Sequence, residues 1–329
     1  MKVYINQPLE EWSLSKIRNE WYAQRPSIST ENVEESDIIW ILDPNSWSSL
    51  DTSLLQEKKV LCSIHDFEKL KRYCESNNKD VKSEFNARDE IVDVYHVPNK
   101  YTNNKMSFHS DKPTSILEYW IDTSFWQPMS GSEARDALGI PPEKFVIGSF
   151  QRDTTNSSDT PILEKGPDIL CRHIKNLNKK FLNNLDKEGN PDPVESLVLL
   201  AGGDRQYVTG ILSGSSVPFI SFGTVDQSRI RELYSCCDLY IASNRSASGP
   251  FSIMEAACMK TPIVSLRRGI SESVLDANCI QNFNIDEKTY IPTKQDVDRN
   301  YQNVQEYDIE NHIQKYEDLL RQIYEDNNI

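Results

Sequence analysis

Glycine is missing from the first 130 residues; all twelve glycines of this 329-residue chain fall at or after Gly131. A homogeneous domain does not distribute its turn-formers so unevenly. The absence separates two units with different needs for tight turns and close backbone approach. The Pro- and Ser-containing stretch FWQPMSGS (125–132) marks the expected boundary, giving a first domain over 1–127 and a second over 128–307. Also missing is any apolar run near the ~20 residues that cross a bilayer. The opening MKVYINQPLEEW lacks the charged-then-apolar order of a secretion signal, so a cytoplasmic location is expected. The seven cysteines form no CxxC, and the five histidines stand singly. That pattern argues against a structural zinc site and reads as small core residues of a reduced compartment. Finally, there is no basic excess: the net charge is −14, shared along the chain. Such a surface repels phosphate backbones and anionic headgroups, which argues against nucleic acid or a membrane as partner. A small anion remains compatible, because a few local cations and a helix N-terminus can bind one.

What is present alternates. In the second half KFVIGSF (144–150), SLVLLAG (196–202), VPFISFG (217–223), DLYIAS (238–243) and TPIVSL (261–266) are short apolar runs closed by small residues. They suit strands buried on both faces of a parallel sheet. Pro167 opens a helical pattern through Leu170, Ile174, Leu177 and Phe181, and SRIRELYSCC (228–237) is a second helix. The first half offers strands at KVYIN (2–6), SDIIWIL (36–42), KKVLCSIH (58–65), EIVDVYHV (90–97) and PTSILEY (113–119), with helices over 12–21 and 67–74. Residues 308–329 place Ile309, Ile313, Tyr316, Leu320 and Ile323 on one face, a closing amphipathic helix expected to pack back on the first domain. The fold class expected is α/β, with two Rossmann-like doubly wound domains facing a central cleft.

Three loops carry candidate chemistry. Arg152 follows the first strand of the second unit, and Lys165-Gly166-Pro167 opens its helix. A guanidinium fork, an ammonium and a helix dipole together grip a diphosphate, although each cation could equally be a solvated surface residue. The Gly202-Gly203 pair could admit a ligand to the backbone or form an ordinary strand exit. Ser252-Ile-Met-Glu255 spells a capping box, which by itself explains Glu255 as a local helix cap. Asp296-Val-Asp298 spells DxD in what reads as a polar tail.

The order of motifs is more specific than any one of them. IDTSFWQP…ALGIPPEKFVIGSFQRD…KGPDIL, followed by SFGTVDQSRIRELYSCCDLYIASNRSASGPFSIMEAACMKTPIVSL (221–266), resembles the donor half of family 4 glycosyltransferases of GT-B fold. The likeness is good over about 113–266. It is thin elsewhere, where VLCSIHDF (60–67) and VYHVPNKYTNNKM (94–106) resemble the first domain. The resemblance implies that Arg152 and Lys165 hold the diphosphate of a nucleotide-sugar and stabilise the leaving group. It implies that Glu255 bonds the ribose and that the loop of Ser248, Gly249, Pro250, Phe251 and Ser252 presents backbone N–H groups to sugar and diphosphate. Gly223, Thr224 and Val225 would lie beside the base, and His65 near the transferred sugar. A retaining, metal-independent transfer from a UDP- or GDP-linked donor to a glycan or glycoconjugate hydroxyl follows, with no further cofactor. Two departures stand out. Ala247 replaces the first of the family's paired glutamates, and NQPLEEWSLS (6–15) replaces its Gly-rich acceptor loop. A non-catalytic nucleotide- or glycan-binding protein and a sugar-nucleotide epimerase stay open beside the transferase.

Overall fold

A computed structural model describes residues 1–8, 13–154, 160–184, 191–215, 217–246, 251–284 and 288–326. The chain divides into two compact units. Unit 1 comprises Met1–Trp120 with Tyr307–Ile329, and unit 2 comprises Ile121–Ser246 with Pro250–Glu306. The crossing at Trp120–Ile121 precedes the FWQPMSGS stretch because Phe125 and Trp126 already pack into unit 2. The Arg231 guanidinium lies 4.7 Å over the Phe125 ring, and Trp126 meets Tyr234 edge-on at 6.1 Å.

Unit 1 is a parallel sheet of β1 (Val3–Ile5), β2 (Ile38–Ile41), β3 (Lys59–Ser63), β4 (Val94–Val97) and β5 (Thr114–Ile116), paired in that order. Sequential order alone would describe a singly wound sheet. However, Val3 also forms a parallel bridge with Ser29, on the edge of β1 that β2 does not use. The chain therefore steps one way from β1 to Ser29, then returns to β2 on the other side. Right-handed crossovers then place the first helix on one face and the later ones on the opposite face. The packing agrees: Trp21 of the helix Ser13–Gln24 meets Trp40 edge-on at 5.6 Å. Ile39 and Ile41, on the other face, pack with Leu55, Phe67, Leu70, Phe85 and Met106 from the later helices.

The Trp40 face is closed by the last helix, Ile309–Glu325, whose Ile313, Tyr316 and Leu320 are fully buried. Tyr316 stacks on Trp40 at 5.5 Å and meets Trp120 edge-on at 4.9 Å. A polar chain runs through this apolar contact. Trp40 Nε1 donates to Ser63 Oγ at 2.8 Å, Ser63 Oγ lies 2.9 Å from His96 Nδ1, and His96 Nε2 lies 2.8 Å from the Leu117 carbonyl. The Tyr316 hydroxyl sits 3.2 Å from His96 Nε2 and 3.1 Å from that carbonyl. Burial holds the His96 imidazole neutral, its pKa pushed down to about 3.

Unit 2 contains β6 (Phe145–Phe150), β7 (Ser196–Ala201), β8 (Phe219–Ser221), β9 (Leu239–Ala242), β10 (Ile263–Leu266) and β11 (Ile280–Gln281). They pair, all parallel, in the order β11-β10-β9-β6-β7-β8. Both faces are covered. Ile147, Val198 and Leu200 pack with the helix Pro167–Leu182, while Val146, Leu197 and Leu199 pack with Ala134 and Leu233. That explains why these strands read as unbroken apolar runs. β6 has the next strand, β7, on one side and the later strand, β9, on the other. The winding reverses there, and open α/β sheets bind ligands beyond the carboxyl ends of strands at such a point.

Tyr316→Phe keeps the ring and deletes the hydroxyl beside His96 and Leu117. We expect urea unfolding to register a loss of about 1–3 kcal/mol, and about 3–5 kcal/mol for Tyr316→Ala. An unchanged midpoint in both variants would refute the closing role of this helix.

Candidate functional site

The β6 and β9 ends meet at Lys165. Gln151, one residue past β6, donates through Nε2 to the Lys165 carbonyl at 2.9 Å. Ser243, one residue past β9, donates to the same carbonyl at 3.1 Å. The turn approaches closely because Gly166 has φ +66°; a Cβ there would lie 2.0 Å from the Ser243 carbonyl oxygen. Glycine at 166 thus satisfies both a left-handed backbone and a contact that no side chain permits. Lys165 is half-buried on this turn, and Arg152 is exposed on the loop leaving β6.

A second set of bonds ties the loop after β9 to the same turn. The amides of Arg245 and Ser246 donate to the Glu164 carbonyl at 2.7 and 3.2 Å. The Arg245 guanidinium forks onto Asp168, Nη1 to Oδ1 at 2.7 Å and Nη2 to Oδ2 at 2.6 Å, and Nη1 reaches the Leu163 carbonyl at 2.6 Å. The bidentate Arg245 bond holds the Asp168 carboxyl below the ordinary carboxylate range. Neither residue stood out in the sequence. The signal available was an Arg just past one strand and an Asp in the first turn of a helix that starts beside it.

Glu255 lies half-buried in the helix Phe251–Cys258. Ser252 is the second residue of that helix, so it does not act as the N-cap of an S-x-x-E box. Glu255 Oε2 instead accepts from the Tyr234 hydroxyl at 3.2 Å. Tyr234 is buried and meets Phe150, the last residue of β6, at 4.9 Å. An aromatic bridge therefore connects Glu255 to the strand end that precedes Arg152. Phe251 and Ser252 form the first turn of this helix, whereas Ser248, Gly249 and Pro250, with Ala247, lie outside the described residues.

Gly223 has φ +64°, its carbonyl accepts from the Gly202 amide at 2.7 Å, and Thr224 follows it at the surface. Val225 turns inward against the cluster around Leu199 and Leu233. The Gly202-Gly203 turn and the Gly223–Val225 turn therefore form one neighbourhood at the ends of β7 and β8.

His65 belongs to unit 1, two residues past β3. Its Nε2 bonds the Leu42 carbonyl and its Nδ1 bonds the Tyr119 hydroxyl, so both ring nitrogens have protein partners. Because the carbonyl can only accept, Nε2 carries the proton in that bond. Asp296 of the DxD sits in a helix and not in a tail. It completes a capping box with Thr293 at the start of Lys294–Val304 and bonds Tyr290 and Arg299. Those bonds explain it structurally. A cavity of about 590 Å³ is lined by Lys180, Asn278, Gln281, Lys288 and Tyr290, and none of the expected site residues lines it.

The Arg245–Asp168 fork makes a signed pH prediction. A carboxyl held low contributes stability that is full above its ordinary value of 3.8 and is lost as pH falls through the lower folded value. In thermal melts between pH 6 and 2 the wild type should therefore lose more stability than Asp168→Asn, whose acid limb flattens. Parallel acid limbs would contradict the fork.

Known proteins provide an independent comparison. Residues 161–291 match the family model for Glycosyl transferases group 1. No curated protein sequence matches the chain significantly. Among solved structures, Anabaena HepE in complex with UDP-glucose superposes with a TM-score of 0.70 at 13% identity, covering 97% of this chain and 99% of that one. Sucrose-phosphate synthase from Thermosynechococcus elongatus gives 0.64 at 13%, covering 94% and 77%. A Rickettsia africae glycosyltransferase gives 0.63 at 13%, covering 98% and 85%. The fold is accordingly that of the GT-B glycosyltransferases, with two parallel α/β units, and the family match over 161–291 spans Lys165, Gly223 and Glu255.

Proposed function

We propose that the protein transfers a sugar from a nucleoside-diphosphate sugar to an acceptor hydroxyl, as a family 4-type enzyme that retains anomeric configuration and needs no metal. The observation that carries this reading is the Lys165 turn, fixed between β6 and β9 by Gln151 and Ser243. It places a cation at the winding reversal, beside the strand end that bears Arg152. Cleaving the anomeric C–O bond leaves a nucleoside diphosphate, so negative charge develops on its oxygens. Prearranged charges there stabilise the transition state, each worth about 3 kcal/mol. In this role Arg152 forks onto phosphate oxygens and Lys165 supplies a point charge. Amides in the first turn at Phe251 and Ser252 add helix-terminal donors.

Glu255, braced by Tyr234, accepts from the ribose hydroxyls, and the Gly223–Val225 turn borders the base. Unit 1 supplies the acceptor side, with His65 held by Leu42 and Tyr119 as its orienting group. The donor is UDP-linked in this proposal, because HepE was solved with UDP and with UDP-glucose. The acceptor is a glycan or glycoconjugate, and a cytoplasmic setting accompanies the reduced cysteines. Among the described residues no helix is long and apolar enough to cross a membrane.

Incubation with UDP- and GDP-sugars tests the proposal, read as melting shift and as donor turnover. Slow release of UDP from UDP-glucose supports transfer. A melting shift without turnover identifies a nucleotide-binding protein, consistent with Ala247 in place of a carboxylate, and an isomerised sugar identifies an epimerase. Arg152→Ala and Lys165→Ala should each reduce turnover by about a hundredfold or more while remaining folded. Wild-type rates in both would eliminate the assignment.

A further inference from the structure

We propose that Arg205 is a positioning residue of the donor site, setting the backbone on both sides of Arg152 and, through Gln151, the turn that carries Lys165. The inference rests on the donor-site reading above and deepens it. Arg205 is 4% exposed and follows β7, just before the helix Gln206–Ser213. Its planar fork makes three divergent contacts. Nη1 donates to the Gln151 carbonyl, Nη2 to Ser149 Oγ at 3.2 Å, and Nε lies 3.3 Å from Asp153 Oδ2. Residues 151 and 153 are the two neighbours of Arg152. The same segment is fastened again by its amides, since those of Asp153 and Thr154 both donate to the Asp204 carbonyl at 3.0 Å. Gln151, whose carbonyl Arg205 grips, itself donates to the Lys165 carbonyl at 2.9 Å. One buried guanidinium thus fixes the backbone that presents both cations.

Stability alone does not account for this pair. Asp153 is fully buried, and burial pushes its carboxyl pKa up and that of the Arg205 guanidinium down, so the mutual attraction does not repay desolvation. Apolar residues of similar volume commonly serve a fold as well as or better than a buried ion pair. A fork that bonds a carbonyl and a hydroxyl at fixed angles, with a carboxylate as counter-charge beside Nε, provides geometry, which neither an apolar residue nor the single ammonium of a lysine can reproduce. The register places the two partners together. Phe150 pairs with Ala201, so the loops leaving β6 and β7 run side by side and bring residue 153 to residue 205.

The test is a double-mutant cycle read by calorimetric titration with UDP, alongside melting temperature. Arg205→Lys keeps a charge for Asp153 but loses the fork, and should weaken UDP binding about tenfold, the equivalent of 1.4 kcal/mol. With Arg152→Ala already present, the same change should weaken binding by clearly less than about tenfold, because the part of its effect that passes through Arg152 is gone and only the part through the Lys165 turn remains. Asp153→Asn, close to isosteric, should show the same dependence at smaller size and replaces Arg205→Lys if that variant does not fold. Unchanged UDP affinity in the folded single variants overturns the inference, as does a full additional loss on the Arg152→Ala background, the mark of a merely structural role. Absence of UDP binding by the wild type overturns the donor-site reading itself, and this inference with it.

Discussion

The site depends on one close passage, that of the Lys165–Gly166 turn over the Ser243 carbonyl. A parallel sheet whose winding reverses leaves a gap between the first strand and its late neighbour, and something must occupy the ends of both. Here the occupant is backbone. The Lys165 carbonyl receives donors from Gln151 and Ser243, and Gly166 comes within a distance that excludes any side chain. Buried backbone groups must be paired, so such a passage is stable only where both strands contribute partners. Once the turn is fixed there, the start of the helix Pro167–Leu182 and the position of Lys165 are fixed with it.

Charge at the site is organised by the same geometry. The chain carries a large acidic excess, yet the basic residues near the β6 and β9 ends divide by task. Arg245 and Arg205 are committed to Asp168 and Asp153, with further donors on the Leu163 and Gln151 carbonyls and, for Arg205, on the Ser149 hydroxyl. Arg152 stands exposed and Lys165 half-buried, on backbone that those two arginines hold. Long cationic side chains lose considerable rotamer entropy when immobilised. In the role proposed for them, fixing the backbone beneath them would reduce what ligand binding has left to order.

Much of this was legible in the chain itself. The ten strands expected from apolar runs coincide with β1 to β10. Burial on both faces leaves an unbroken signature in inner strands such as β2, β4, β7, β9 and β10, whereas β5 and β8 at the sheet edges are only partly covered. The closing helix was equally clear, because Ile309, Ile313, Tyr316, Leu320 and Ile323 keep helical spacing and are all buried. The short β11 lacked enough residues to carry any period, and helices such as Val81–Asp89 and Lys294–Val304 are too polar to announce themselves. At the site, the motif-bearing Arg152, Lys165 and Glu255 were visible as residue types in an ordered pattern. Their supports were not: Arg205 pairs with Asp153 and Arg245 with Asp168 only because strand register brings separate loops together. The register of the Ser252–Glu255 pair differs for a related reason, since the helix begins at Phe251, earlier than a Ser252 cap would have it, and helix boundaries shift by a residue or two.

The same dependence on distant partners governs unit 1. Its sheet becomes doubly wound through a single bridge at Ser29, and the face that the first helix only partly covers is finished by residues from the far end of the chain. Tyr316 on that last helix stacks on Trp40 and, at 6.2 Å, on Tyr119, whose hydroxyl bonds His65 Nδ1. His312, one turn earlier, bonds the Glu118 carbonyl at 2.6 Å, next to Tyr119 in sequence. The orientation of the His65 ring is therefore tied to the seating of a helix more than two hundred residues away, by a stacked ring on one side and a pinned backbone on the other. A chain that closes its first sheet with its last helix completes the surroundings of His65 only when both its ends have folded together.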